Sequence, residues 1–261
     1  MRRRLCGTGT VIVERVSLML SIRATAAALS LSALLAGAGS AETIKDQATF
    51  DLVMRGITAG TLTFSANQEG EGYAVVGRLA SSGILAMIRK VSYDARAQGR
   101  IKGGRYIPSS YSEKADTGKR QSESVIAYQG GVPEVRVYNP PREPAPFDVD
   151  ASTQGGSVDP LTALYATLRD AAPGQECNRT VQMFDGRRAS QLALGKPQAQ
   201  ADGTVTCPGE YRRVAGFSPE DMAEKTRFPF TLTYAPAEAG VMRVTEVAMD
   251  SLYGQARLVR R

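Results

Sequence analysis

The sequence predicts an all-β fold, either a single, strongly curved antiparallel sheet or a partly open barrel, with one or two short helices. Segments in which polar and apolar residues alternate recur along residues 42–261, and this period of two is typical of half-buried strands. Glycine lies at nearly every junction between these segments, where hairpin turns are expected. Hydrophobic residues make up 43% of the chain, which is enough to form a sizeable core.

The alternating segments fall into two groups, separated by a proline-rich stretch and a predicted helix. The predicted strands are 49–54, 61–66, 73–79, 91–100, 105–113, 122–128, 132–138, 179–184, 188–194, 204–214, 228–234, 241–249 and 255–259. Asp185-Gly186 is a hairpin signal, because such turns need a residue with positive φ. We expect Gly60 and Gly99 to allow a bulge or a close approach of two backbones.

Two short helices are expected between the strands. Residues 82–88 (SGILAMI) are apolar and follow serines that could cap a helix, although a buried loop fits equally well. The second helix begins at Asp159 and Pro160, because the carboxylate can accept hydrogen bonds from free amides and Pro suits the first helical position. Pro173-Gly174 ends it. Its apolar residues fall on one face and are Leu161, Leu164, Tyr165 and Leu168.

Residues 139–156 are the linker candidate, because their four prolines exclude a central strand. The segment after them has too little core of its own for a second domain. We therefore predict one domain over residues 42–261.

The first forty-one residues are interpreted as a signal peptide. Arg23 precedes a short apolar stretch, 24–36, and small residues follow it up to Ala41. Thirteen residues are too few to span a bilayer, which needs about 20, so no transmembrane segment is expected in the mature chain. Met19 would begin a leader of ordinary length, which suggests that the start before Met19 is over-extended. We therefore expect an exported, periplasmic protein.

Charge and cysteine content fit this location. Residues 1–41 hold five Arg and one acidic residue, so residues 42–261 carry 27 basic and 25 acidic residues. This near balance gives no case for nucleic-acid binding.

Cys177 and Cys207 remain in the mature chain, and we expect them to form a structural disulfide, since an exported protein meets an oxidising environment. A reactive dithiol is the alternative, but the Cys-x-x-Cys spacing is absent.

The chemistry available to the chain is restricted because it contains no His. This excludes Ser-His-Asp and Cys-His catalysis and His-ligated zinc. Asp148 and Asp150, with Asp159 nearby, are the carboxylates that a hydrolase could use, but a pair in a proline-rich loop is weak evidence. Glu220-Asp221 and Glu224 fit a solvated surface turn. We therefore predict no catalytic, metal-binding or cofactor-binding residues, and no cofactor.

Several stretches, taken in order, resemble a family of exported bacterial proteins, domain of unknown function 3108 (DUF3108). They are 56–62 (GITAGTL), 82–85 (SGIL), 93–99 (YDARAQG), 104–108 (GRYIP), 158–161 (VDPL), 184–188 (FDGRR) and 207–217 (CPGEYRRVAGF). The resemblance covers most of residues 47–217. It implies export and an all-β fold. None of the stretches is a catalytic signature, so the resemblance leaves the chemistry open.

Two non-catalytic functions remain, with a carboxylate hydrolase as a distant third. In the first, the curved sheet encloses a cavity that binds a lipid or another hydrophobic molecule, and Ile84, Leu85, Met87 and Ile88 form its rim or lid. In the second, the sheet is a solid scaffold that binds a protein of the envelope. Small residues lining the interior would favour the cavity, whereas Phe and Tyr filling it would favour the scaffold. The sequence leaves the oligomeric state open.

Overall fold

One antiparallel sheet contains all fourteen strands of residues 43–252 and 254–261, the part of the chain that the computed structural model describes. The predicted signal peptide lies outside these residues. The strands are β1 (Thr43–Met54), β2 (Ile57–Glu69), β3 (Gly72–Ser81), β4 (Ser92–Lys102), β5 (Arg105–Asp116), β6 (Gln121–Gln129), β7 (Val132–Asn139), β8 (Arg179–Phe184), β9 (Ala189–Leu194), β10 (Gln198–Ala199), β11 (Val205–Ala215), β12 (Arg227–Pro236), β13 (Met242–Ser251) and β14 (Gly254–Arg260). The predicted all-β class is confirmed.

The sheet runs in the order β7-β6-β5-β4-β3-β2-β1-β14-β13-β12-β11-β9-β8, and short β10 pairs with β11. The two halves of the chain join where β1 pairs with β14, in a register that sets Leu52 opposite Leu258. The edge strands β7 and β8 do not pair with each other, so the sheet is not a closed barrel.

The end of the proline-rich segment and the two residues after it join the two edges. Val158 pairs with Met183 of β8 as a parallel bridge. Two residues earlier, the amide of Gly156 donates to the carbonyl of Gly131 beside β7, at 2.8 Å. The predicted linker therefore connects the edges of one sheet rather than two domains.

In the described part of the chain, three short α-helices accompany the sheet: α1 (Gly83–Ile88), α2 (Pro160–Leu168) and α3 (Pro219–Glu224). The prediction of a surface turn at the α3 position is wrong. Ser218 caps this helix by accepting a hydrogen bond from the amide of Asp221, and Pro219 begins it. Within the described residues, no helix is long and apolar enough to cross a bilayer.

The sheet curves around α2. This helix contacts β3, β4 and β5 on one side and β8 on another, and Tyr234 of β12 donates a hydrogen bond to the carbonyl of Thr167. The predicted single apolar face is therefore too narrow, because seven of the nine helical residues are buried. Ala163 and Ala166 allow this close enclosure, since their small side chains let the strands approach from several directions.

Antiparallel pairing places the connections of the sheet at two opposite ends. We name one of them the α1 end: it carries α1, the β1–β2 turn at residues 55–56, the β5–β6 turn at 117–120 and α3. The aromatic core lies towards the opposite end. Its rings contact one another in series, with centroids 5.2–6.5 Å apart, and belong to Phe50, Phe64, Tyr73, Tyr106 and Tyr165.

Candidate functional site

An apolar pocket of about 430 Å³ lies between α2 and the inner face of the sheet. Most of its lining is leucine and other apolar side chains from β1 to β5, β13, β14 and the first turns of α2. The main lining residues are Leu52, Leu62, Gly77, Leu79, Tyr93, Ala95, Tyr111, Pro160, Leu161, Leu164, Val247, Met249, Ala256 and Leu258. Many of them lie within a few residues of the strand termini at the α1 end, so the pocket belongs to that end.

Small residues at three lining positions leave this space open. Gly77 and Ala95 are directly opposite each other on β3 and β4, and Ala256 is on β14. A Cβ on Gly77 would lie 2.6 Å from Leu161 Cδ1, so a larger residue at this position would displace the Leu161 side chain. These positions therefore set both the approach of α2 and the width of the pocket.

One carboxyl group, Glu113, and two arginines, Arg78 and Arg257, are the charged residues that line the largely apolar pocket. Glu113 Oε2 accepts a hydrogen bond from the hydroxyl of Tyr111 at 2.8 Å. Burial raises the pKa of Glu113; the Tyr111 hydrogen bond opposes this rise, and the charge of Asp185 adds to it. This pair gives the apolar site a polar group that can orient a bound ligand.

A buried polar network lies where α2 begins. Asp159 has no exposed surface, and its Oδ1 and Oδ2 accept hydrogen bonds from the amide and hydroxyl of Thr162, at 2.8 and 2.7 Å. Thr162 Oγ1 is also 2.9 Å from the hydroxyl of Tyr73. Burial raises the pKa of Asp159 to about 6, and the two Thr162 hydrogen bonds oppose this rise. Both predicted residues of this helix start are thus placed there, with Pro160 as its first residue.

The hydroxyl of Tyr128 is also buried, and it has no hydrogen-bond partner among the described residues. Burial raises the pKa of Tyr128, and the charge of Asp159 adds to this rise. Burial therefore disfavours the charged forms of the ionisable groups in this region.

Three of the predicted rim residues, Leu85, Met87 and Ile88, belong to α1, but they do not line the pocket. Met87 and Ile88 are 87% and 76% exposed, and Leu85 is 39% exposed. The side chain of Ile84 is outside the described residues. The alternative of a buried loop is wrong, because this segment is a helix that projects into solvent.

The disulfide joins Cys177 and Cys207, with Cα atoms 5.5 Å apart. Cys177 lies in the connection between α2 and β8, whereas Cys207 is a fully buried residue of β11. The bond therefore fixes the connection after α2 to the wall of the sheet.

The predicted glycine positions lie at irregular or tight points of the sheet. The β1–β2 register shifts beside Gly60, and a Cβ there would be 2.6 Å from the carbonyl oxygen of Ala80. The β4–β5 register shifts beside Gly99, where a Cβ would be 2.3 Å from a backbone carbonyl oxygen of β5. Asp185 accepts hydrogen bonds from two amides of the β8–β9 turn, and Gly186 in that turn has a φ of +97°.

The carboxylates considered for catalysis have structural partners. Asp148 forms ion pairs with Arg142 and Arg187 at 3.2 and 3.0 Å. Burial opposes the change, but these arginines and the Ala145 amide hold the pKa of Asp148 below its usual value. Asp150 accepts a hydrogen bond from the Ser152 amide, which lowers its pKa. In the described part of the chain, no three His, Cys, Asp or Glu residues are grouped as metal ligands.

The small residues of 73–77, Gly77 among them, favour a cavity from the sequence alone, but the pattern assigns no role to Tyr111 or Glu113. Alternation gave the only usable signal, because Tyr111, Glu113 and Ala115 share one face of β5. A charged residue at an inward-facing position of a strand indicates a polar group inside the sheet.

The fold and the site together define a class: a β-barrel-like protein with an incompletely closed antiparallel sheet, a helix inside it and an apolar pocket at one end. The chain belongs to the family described as "Protein of unknown function (DUF3108)", whose model matches residues 49–247. The resemblance drawn from the sequence motifs is therefore confirmed, and the match extends beyond them towards the C-terminus.

One solved structure of similar fold is the crystal structure of a beta-barrel-like protein of domain of unknown function DUF1849 from Brucella abortus. It is 13% identical to this chain, with a TM-score of 0.48, and the match covers 84% of this chain and 96% of that chain. No curated protein matches the chain.

Proposed function

We propose that this protein is a non-catalytic, periplasmic protein of the bacterial cell envelope that binds a lipid or another hydrophobic molecule in its apolar pocket. The pocket itself is the observation that carries the proposal. Its volume of about 430 Å³ lies in the range of small-molecule sites, about 300–1,000 Å³, and nearly all of its lining is apolar.

The dimensions and chemistry of the pocket favour a single-chain ligand with one polar group. The volume is near the lower end of that range, so the pocket accommodates one acyl chain more readily than two. Glu113, Tyr111 and the lining arginines Arg78 and Arg257 supply the polar groups of the site. A fatty acid or a single-chain alcohol has this combination of an apolar chain and a hydrogen-bonding head.

Two features of the chain support the periplasmic location. Residues 1–41 have the composition of a signal peptide. The buried disulfide is typical of proteins that fold in an oxidising compartment. The proposal that the protein is not an enzyme is supported by the engagement of Asp148 and Asp150 in ion pairing and capping.

A protein-binding scaffold is the second candidate, and the aromatic packing at the end opposite α1 favours it. Edge strand β7 pairs with one strand, β6, and exposes the side chain of Val137. An envelope protein could add a strand there. Pro133 and the Arg136–Glu134 ion pair on β7 oppose this, because proline and charge discourage edge pairing.

Native mass spectrometry of the protein recovered from a periplasmic fraction tests the proposal directly. Bound mass in the lipid range is expected, together with the mass of a chain that has lost its leader. An apo mass that stays unchanged after incubation with a C10–C18 fatty acid series would contradict ligand binding and favour the scaffold.

A pocket-filling variant links any bound mass to this site. Ala95→Leu places three additional carbons between Gly77 and Glu113, its partners on the neighbouring strands. Displacing three methylenes of a bound chain costs about 2.4 kcal/mol, so fatty-acid affinity should fall about 50-fold. Ala74→Leu is the matched control, because Ala74 is exposed on the outer face of β3. Equal affinities of the two variants would place the ligand elsewhere.

A further inference from the structure

We propose that the α1 end of the protein docks onto an anionic lipid surface. The inference goes beyond ligand binding, because it concerns an external surface and does not require the pocket to be occupied. It stands on an exposed apolar patch, on the charge around that patch, and on its position beside the pocket.

The patch consists of Ile57, Leu85, Met87 and Ile88. Met87, Ile88 and Ile57 are 87%, 76% and 59% exposed. They are close together because α1 packs beside the start of β2, where the amide of Ser82 donates to the carbonyl of Ala59 at 3.0 Å. Aliphatic side chains as exposed as these mark an interaction site when they are clustered.

Basic residues surround the patch. They are Arg55, Arg89, Lys90, Lys119 and Arg120, all of them exposed. The β5–β6 turn that carries two of them is joined to α1, since Arg89 Nε donates to the carbonyl of Thr117 at 2.7 Å. Acidic Asp116 is turned towards its own loop by hydrogen bonds from the Gly118 amide and Gln121.

The charge at this end is unevenly distributed. Exposed Asp250 at the end of β13 is separated from β2 by β1 and β14, and the acidic residues of α3, Glu220, Asp221 and Glu224, lie further away at the β11–β12 connection. An apolar centre with a basic border matches the acyl region and headgroups of an anionic bilayer.

A bilayer suits this patch better than a folded partner does. A stable protein interface needs about 20–30 residues on each side and complementary shape. Four aliphatic side chains can instead insert into a lipid bilayer, which needs no complementary shape. The lining of the pocket reaches the same end through Leu52 and Leu79. A protein docked here would hold its apolar pocket next to the lipid.

Vesicle sedimentation tests the inference on residues 42–261, which form one compact unit containing the whole sheet and the disulfide. The protein should bind vesicles that contain phosphatidylglycerol, and bind vesicles of phosphatidylcholine alone much more weakly. Binding should weaken with added salt, since screening reduces the attraction of exposed charges.

Two sets of variants separate the apolar and the charged contributions. Met87→Glu with Ile88→Glu should lower the vesicle partition constant about tenfold or more, whereas Ile44→Glu with Val132→Glu, exposed residues at the opposite end, should leave it unchanged. Lys90→Gln with Lys119→Gln should lower it about 25-fold, at about fivefold for each charge near the surface.

The control for the charged pair is Lys45→Gln with Lys102→Gln, two exposed residues at the end opposite α1. Equal losses in the patch variants and their controls would overturn the inference. So would a wild-type protein that ignores all vesicles but forms a dimer that Met87→Glu disrupts, because the patch would then bind a second copy.

The two proposals fail separately. The pocket variant Ala95→Leu should bind vesicles like the wild type, because Ala95 is not part of the patch. The Met87→Glu variant should still bind a soluble fatty acid. Loss of both properties in either variant would contradict the assignment of separate surfaces.

Discussion

Replacing Asp159 with Asn tests whether the ionised, buried carboxylate of Asp159 lowers the free energy of unfolding at neutral pH. Asp159 is fully buried, and its pKa is raised from 3.8 to about 6, chiefly by burial. The folded protein therefore binds this proton more tightly than the unfolded chain does. The contribution of Asp159 to stability is complete below about pH 4 and is lost as the pH rises through about 6.

A shift of about two pKa units corresponds to about 3 kcal/mol. Asn stays neutral throughout and is an equally good helix cap, so Asp159→Asn removes the pH dependence while keeping the cap. The variant should therefore gain about 3 kcal/mol of unfolding free energy relative to the wild type between pH 4 and pH 7. Other titrating groups are common to both proteins, and their effects cancel in this difference.

Urea unfolding of both proteins at a series of pH values, with the disulfide intact, measures the difference. Asp150→Asn is the matched control, because hydrogen bonding to Ser152 lowers the pKa of Asp150. Stability from a lowered pKa is present at neutral pH and lost on acidification, so the difference between this control and the wild type should change in the opposite direction. A difference for Asp159→Asn that does not vary with pH would refute the reasoning.

Three other changes probe the framework and the pocket. Cys177→Ser should lower the free energy of unfolding by about 3.5 kcal/mol in the chain-entropy treatment, because the bond spans a sequence separation of 30; a wild-type melting temperature that reductant leaves unchanged would contradict this. Gly99→Ala should cost about 1–3 kcal/mol through overpacking, since its Cβ would meet a backbone oxygen at 2.3 Å. Gly155→Ala, with its nearest neighbour at 3.6 Å, should cost little, and equal urea midpoints of these two variants would count against the tight contact. Leu79→Trp gives the chain its only Trp, inside the pocket, and its emission should shift to the blue when a fatty acid is added. The same shift in Val76→Trp, on the outer face, would show that the ligand is not in the pocket.

Local patterns predicted most of the elements that surround the pocket. Alternation indicated the strands, and Asp159-Pro160 indicated the start of the helix, because capping and a fixed φ act within a few residues. The same kind of signal is present at Ser218-Pro219, but the following six residues lack the apolar run from which a helix is predicted. Strand β1 also begins earlier than predicted, at Thr43, because its first residues gain their pairing from β2 rather than from their own pattern.

The pocket and the closure of the sheet could not be predicted in this way. The pocket depends on side chains from seven strands and on the position of α2 among them, and these contacts join residues far apart in sequence. The proline-rich segment illustrates the same limit. Its composition excludes a central strand, but only the folded chain brings Val158 to Met183 and Gly156 to Gly131.

The orientation of α2 explains why the interior is solid at one end and open at the other. Near the start of the helix, Thr162 bonds to the hydroxyl of Tyr73, beside the β2–β3 turn at the end opposite α1. After the helix, Ala171 pairs with Met242 at the start of β13, at that same end. One face of the helix carries Tyr165 into the aromatic cluster, whereas Pro160, Leu161 and Leu164 line the pocket. The distribution of side chains around α2 thus determines which part of the interior is filled and which remains open for a ligand.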